Sequence, residues 1–302
     1  MSKRRVKAYL ILLIPTIIWG IAGSVIKFTL SDFSPFIFLF YRFFYSALIA
    51  IFYFFYFRPK LPKDLTTWLQ VIIYAAFGNV LALVFLFWGL NKSTVLDFTI
   101  IDAFGPIIVS IAGAVILNDR ITRKEKLGIT LAFAGIVFTI FKPLVTEGLA
   151  IERFLGNSII LAFVLLDSFG YILTKILVRK NVKAFTLSNL SFLLGFFLLA
   201  PLVLGYYGVD AVTSEIKSAS FSAHLGVIFM AVFSGTLAYA LWTLGQKAIE
   251  VSEAAVFRYL MPLISTPIAV LWLGEKITWQ FLAGALVIFT GVSLAEYKKT
   301  KR

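Results

Sequence analysis

Apolar runs of about 20 residues, separated by short polar links such as "RPKLPKD" (58–64) and "NDRITRKEK" (118–126), set the pattern of this chain. A helix needs about that length to cross the hydrocarbon core of a bilayer. The runs predict ten membrane-spanning helices, near 8–28, 35–57, 67–90, 95–117, 124–142, 156–178, 185–207, 223–246, 252–273 and 278–297. The first run, within "KRRVKAYLILLIPTIIWG", has the basic flank of a signal peptide. It is of full span length with no small-residue cleavage site after it, and so reads as the first helix.

The pattern also repeats. Shifting residues 78–136 by 156 sets Gly89 on Gly245, Pro106 on Pro262, "LNDRIT" (117–122) on "LGEKIT" (273–278), Gly128 on Gly284 and Gly135 on Gly291. Earlier in the chain the offset is 148, which sets Trp19 on Asp167 and Lys27 on Lys175. The eight-residue difference is absorbed by the link at 206–222, which is longer than its counterpart at 58–66. Five spans per copy is an odd number, so residues 1–148 and 149–302 are expected to lie in the membrane in opposite orientations. Inverted repeats of this kind point to a transporter with its site near the midplane, between the halves. The fold expected is therefore all-α and integral to the membrane, with ten transmembrane helices in two inverted five-helix repeats.

Composition agrees with the pattern. The chain has 302 residues, of which 60% are hydrophobic and 14% charged, against about a quarter charged in a soluble domain. The net charge of +13 is mostly a topology signal. With the amino terminus placed inside, 19 lysines and arginines fall in inner segments, 5 in outer ones (Lys92, Lys142, Arg153, Lys217, Lys276) and 4 within spans. The excess predicts cytoplasmic termini in a plasma (inner) membrane and argues against nucleic acid as a partner. No cysteine and a single histidine, His224, remove disulfide and thiol chemistry and most zinc or haem sites. No metal or other cofactor is expected.

The chemistry then rests on polar residues inside apolar runs, which are expensive in a bilayer and functional by default. Asp102 sits about 7–8 Å outward of the centre of its span at 1.5 Å per residue, and its repeat mate Arg258 lies as far inward of its own. That predicts an axial separation of about 15 Å, too long for a direct bridge and suited to the two ends of a bound zwitterion. The competing reading is a structural ion pair of Asp102 with Arg42. Asp167, mid-span, faces its mate Trp19 as a carboxylate and indole able to hold a cation; plain packing is the alternative for Trp19. Asn79, Tyr171, Tyr239 and Trp242 are candidate cavity wall. Lys27 and Lys175 lie near span ends and are expected to snorkel to the headgroups, with ion pairing or coupling as their other role. Asp97, Glu250 and Glu253 read as interfacial, and His224 as wetted.

"WGIAGSVIKFTLSDFSPFIFLFYRF" (19–43) resembles the opening of the EamA-type transporters of the drug/metabolite transporter superfamily, with its WG pair, lysine, SP and RF pair at Trp19, Gly20, Lys27, Ser34, Pro35, Arg42 and Phe43. "MPLISTPIAVLWLGEKITWQFLAGALVIFTGV" (261–292) is similar to the same family's later pattern, matched by Pro262, Gly274, Glu275, Gly284 and Gly291. The resemblance spans essentially the whole chain. It departs at Asn118-Asp119, where the first copy usually carries a glutamate expected to cap a helix. The resemblance implies ten helices, alternating access, and amino acids, metabolites, drugs or nucleotide sugars as cargo, often exported.

An enzyme would need a nucleophile–base pair, an HExxH or a GxSxG, and a pump driven directly by ATP would need a P-loop; the sequence has none of these motifs. The function expected is a secondary transporter that moves a small polar or amphipathic metabolite, an amino acid being the working choice, by export. A channel or scramblase-like protein without a carrier cycle is the alternative. Asp102 and Asp167 are the candidates for a coupling proton, because low dielectric penalises a carboxylate's charge.

Overall fold

The computed structural model describes residues 3–117, 123–146, 150–249 and 251–296. The capping role expected at Asn118-Asp119 and the interfacial place of Glu250 lie outside the described residues. Within them the chain is helical throughout, without a strand. The elements are α1 Lys3–Thr29, α2 Pro35–Phe57, α3 Leu65–Lys92, α4 Val95–Asp102, α5 Gly105–Leu117, α6 Arg123–Thr146, α7 Ile151–Arg179, α8 Ala184–Tyr207, α9 Val209–Ser218 and α10 Phe221–Gln246. They continue with α11 Val251–Ala255, a 3-10 turn Val256–Leu260, α12 Met261–Leu273 and α13 Trp279–Glu296. Among the described residues, eight helical stretches are long and apolar enough to cross a bilayer, and α13 is a shorter apolar one. Large apolar side chains face outward, as with Leu271 at 86% and Phe55 at 76% exposure, which in a membrane is contact with lipid. The extra residues of the 206–222 link form the short helix α9.

The fourth expected span is two helices, and the ninth is interrupted in the same register. The cause is readable in the chain. Pro106 has no N–H to donate to the carbonyl four residues back, which is that of Asp102, and its ring crowds that carbonyl. α4 accordingly stops at Asp102 and α5 restarts at Gly105. Pro262 stands in the same relation to Arg258, and there the backbone tightens into the 3-10 turn. Each proline thus loosens the helix at a charged residue.

Two further irregularities are π-helical: Tyr74–Leu81 within α3 and Val232–Leu237 within α10. Wider π turns and the bends beside them leave carbonyls open to other donors, and such segments recur at functional sites. Side chains from three other helices take up four carbonyls along α10. Trp19 Nε1 donates to Ser234 O at 3.0 Å, Arg42 Nε to Met230 O at 2.9 Å, Ser46 Oγ to Ala231 O at 3.3 Å and Ser188 Oγ to Thr236 O at 3.0 Å. The irregular backbone of α10 is therefore the post against which α1, α2 and α8 are set.

Close helix crossings rest on small residues, the usual means of contact where no hydrophobic effect drives helices together. α6 meets α13 through Gly128, Ala132 and Gly135 on one side and Gly284, Ile288 and Gly291 on the other. The π segment of α3 meets α7 back to back: a Cβ on Gly78 would stand 2.8 Å from Gly170 Cα. Backbone cannot rotate aside as a side chain can, so Gly78→Ala is expected to cost about 1–3 kcal/mol and to lower the midpoint of thermal unfolding in detergent. Gly205→Ala is the control, because nothing lies within 4 Å of its would-be Cβ; it should leave the midpoint unchanged or slightly raised. Equal behaviour of the two variants would refute the crossing.

Candidate functional site

The interruptions at Asp102 and Arg258, the π turn of α10 and the middle of α1, α2 and α7 converge on one central cavity of about 50 Å³. Its polar walls are Trp19, Arg42, Asp102, Asp167, Tyr171, Ser234, Tyr239 and Arg258. All but Trp19 are buried.

Arg258 bridges both carboxylates. Its Nη1 donates to Asp167 Oδ2 at 2.8 Å and its Nη2 to Asp102 Oδ1, making a buried triad of one cation and two anions. This corrects the sequence expectation that Asp102 and Arg258 stand too far apart to touch. The 15 Å figure assumed straight α-helices and ignored side-chain length. The backbone is irregular at both residues, and Gly105 at the restart of α5 clears the way: a Cβ there would lie 3.0 Å from Arg258 Cζ. The alternative pair, Asp102 with Arg42, does not form among the described residues. Asp167 is neutralised across the bundle by Arg258.

An aromatic box closes over the triad. Trp19 packs on Tyr239 and Trp242 with centroids 5.3 Å apart in each case and on Tyr171 at 6.4 Å, while Tyr171 meets Trp242 at 5.2 Å. The Arg258 guanidinium lies over the Tyr171 ring at 5.0 Å, within the range of a cation–π contact. Trp242 backs the box from behind instead of lining the cavity. Asn79 also lies off the cavity, donating to Ser191 Oγ at 3.1 Å between α3 and α8.

Lys27 and Lys175 are not snorkelling side chains. Lys27 Nζ donates to the carbonyls of Leu90 (2.8 Å), Asn91 (3.3 Å) and Ser93 (2.7 Å), where α3 ends. Lys175 Nζ donates to the carbonyls of Gln246 and Ile249 (2.5 Å), where α10 ends. A cation at unsatisfied C-terminal carbonyls is favourable both as hydrogen bond and against the helix dipole. Residues 27 and 175, related by the 148-residue offset, do this at opposite ends of the bundle.

At the Thr29 end, sequence reading missed how much is built. Gly274, at φ 68°, turns the chain after α12 in the left-handed region that favours glycine. Glu275 then accepts the backbone N–H groups of Val95 (2.8 Å) and Leu96 (2.9 Å), capping α4 from the other half of the chain. Burial pushes the Glu275 carboxyl above its ordinary range, against the pull of those two donors and of Lys27. Beside it Asp97, read from sequence as interfacial, is fully buried. It takes Lys142 at 3.2 Å, Arg153 at 2.8 Å and Asn157 at 3.1 Å. Asp32 and Glu215 pin the loop after α1 to the α9 segment, through the backbone N–H groups of Ser220 (2.7 Å) and Ser34 (2.6 Å). The Ser220 bonds hold the Asp32 carboxyl below the usual range. At the Lys3 end Glu253 is half-buried and joins Arg5 (2.6 Å) and Tyr9. His224 is half-buried against Tyr41 at 3.2 Å.

Known proteins resemble this chain along its whole length. An "uncharacterized transporter" of Archaeoglobus fulgidus is 24% identical over 296 residues, covering 97% of this chain and 98% of its own. A "probable amino-acid metabolite efflux pump" of Salmonella typhimurium is 28% identical over 285 residues (93% and 91%), and the protein of the same description in Escherichia coli is 26% identical over 293 residues (93% and 91%). A solved crystal structure aligns with a TM-score of 0.66 at 17% identity, covering 97% of this chain and 98% of its own, which is a likeness of fold alone. The EamA-like transporter family matches twice, over residues 6–141 and 154–297. With that match, the buried charges at the helix interruptions and the many membrane-length helices, the chain is a multi-pass membrane protein and belongs to the EamA-like transporter family.

Proposed function

We propose that this protein is a secondary carrier that exports a small metabolite bearing a cationic group, an amino acid being the working cargo, by alternating access about the central cavity. The observation that carries the proposal is the Asp102–Arg258–Asp167 triad. It holds one net negative charge if all three groups are ionised, sits where two helices are interrupted, and is faced by an aromatic box. Each carboxylate gives one oxygen to Arg258 and keeps a second outside the bridge, on which an ammonium group can dock beside the Trp19 and Tyr171 faces. Either carboxylate is also placed to carry a coupling proton. The efflux names of two relatives support the cargo and the direction.

The carrier has ten crossings on this reading: the eight membrane-length stretches, α13, and α4 and α5 taken together. It divides into inverted halves, 1–148 and 149–302. The family's two matches support the division. So do the π turns of α3 and α10, the proline interruptions and the two lysine caps, each recurring at the repeat offset. The excess of basic residues supports cytoplasmic termini in the plasma (inner) membrane. In the conformation described, the cavity of about 50 Å³ is walled by largely buried side chains. Cargo therefore needs the walls to part toward one side at a time.

The test is counterflow in proteoliposomes with labelled L-leucine, L-phenylalanine, L-threonine and L-lysine. Saturable uptake, accelerated when the same solute is loaded on the other side, is expected for at least one. Flux that rises linearly with concentration, with no acceleration, would instead identify a channel or scramblase.

A further inference from the structure

Arg42 is the one charged wall of the cavity that the triad leaves unexplained. It is completely buried, in the middle of α2. Its Nε is used by Met230 O, but among the described residues Nη1 and Nη2 have no hydrogen-bond partner. No carboxylate among those residues lies within bridging distance of it. Phe87 and Phe192 flank it at 5.6 Å each, which offsets only part of the cost of a buried cation. The repeat offers no counterpart, because the 148-residue offset places Leu190 at its equivalent. A guanidinium on the wall of a cavity, held by one nitrogen and with its two terminal nitrogens buried and unpartnered among the described residues, is a fork for a carboxylate.

The other charged side chains on the cavity have the opposite net sign. A run of touching rings joins the two: Phe192 beneath Arg42 packs on Tyr239 at 5.5 Å, Tyr239 on Trp19 at 5.3 Å, and Trp19 on Tyr171, over which Arg258 sits. Arg42 carries one positive charge and the ionised triad one net negative charge, so the charged walls of the cavity are complementary to a zwitterion and neutral in total. Apart from Ser234 the remaining lining is apolar, with Ile26, Leu83, Leu86, Phe98 and Met261 among it. We infer that Arg42 binds the carboxylate of a zwitterionic amino acid with an apolar side chain, whose ammonium group faces Asp102 and Asp167. The inference rests on the carrier reading above and adds to it the anionic end of the substrate.

The test is calorimetric binding to the purified full-length protein in detergent, because free amines leak through bilayers. L-Leucine and L-phenylalanine are compared with isoamylamine and phenethylamine, which keep the side chain and amine but lack the carboxylate. Wild type is expected to bind at least one amino acid 10- to 100-fold more tightly than its amine. Arg42→Gln should bring that ratio to within about threefold, by weakening the amino acid and sparing the amine. Arg42→Lys keeps the charge without the fork and should lose about tenfold; it also serves if the glutamine variant fails to fold. An amine that binds wild type as well as its amino acid overturns the role of Arg42 while leaving the cationic reading of the triad standing. So does an Arg42→Gln or Arg42→Lys protein that keeps the full preference. Binding of neither class overturns the substrate reading together with the inference.

Discussion

Arg258→Met is expected to abolish transport and to destabilise the protein by about 3–5 kcal/mol, the usual cost of removing one partner from a buried ion pair. The side chain is 2% exposed, and both carboxylates it bridges are nearly as buried. Without it, Asp102 and Asp167 are two buried carboxylates with no cation between them. The triple variant Asp102→Asn, Asp167→Asn, Arg258→Met removes all three charges and should recover most of the lost stability, because a neutral polar cluster carries no unpaired ion. It should not recover flux, since nothing anionic is left for an ammonium group. Asp102→Asn alone leaves the Arg258–Asp167 pair intact and electrically neutral; near-normal folding with strongly reduced flux is expected. Thermal unfolding in detergent and counterflow in proteoliposomes separate these outcomes. A triple variant that is stable and transports at the wild-type rate would reduce the triad to scaffolding.

Much of this arrangement was legible in the chain. The apolar runs marked the helices to within a few residues, and the repeat offset placed Asp102 and Arg258 at equivalent positions. The offset did not bring them together, because a rise of 1.5 Å per residue holds only for an unbroken helix. The signal for the break was present: Pro106 and Pro262 each stand four residues after a charged position, where a proline must orphan that residue's carbonyl. Gly105 is the companion signal, a residue small enough to let a guanidinium approach. The π turns of α3 and α10 were not legible, since their sequences "YAAFGNVL" and "VFSGTL" carry no residue type that forbids an ordinary α-helix. The helix-capping roles of Lys27 and Lys175 are not legible for a related reason. Position near a span end suits both snorkelling and capping, and only the neighbouring helix ends decide. Arg42 reads from sequence as half of an ion pair because a buried arginine usually is; that no carboxylate meets it among the described residues is a tertiary fact.

Asp97 illustrates the same limit with a measurable consequence. From sequence it lies at the start of a span, where a carboxylate is ordinarily wetted. In the fold its side chain is 1% exposed and ties α4 to Lys142 of α6 and to Arg153 and Asn157 of α7. Asn157 in turn bonds Thr139 O at 3.1 Å and the hydroxyl of Ser93. Asp97→Asn keeps the shape but strips the shared counter-charge from two cations, one of them, Lys142, only 4% exposed. The expected cost is about 3–5 kcal/mol, seen as a fall of roughly 10 °C in the unfolding midpoint. Asp97→Leu combined with Lys142→Met should regain most of it, because Arg153 at 21% exposure has a path to water. This cluster lies outside the cavity, so the variant molecules that do fold should keep the wild-type KM. Asp97 and Arg258 therefore predict opposite signatures. At Asp97 restoring stability restores transport, and at Arg258 it does not. An Asp97→Asn protein with an unchanged midpoint and a raised KM would place Asp97 in the substrate path and overturn its assignment as a structural clamp.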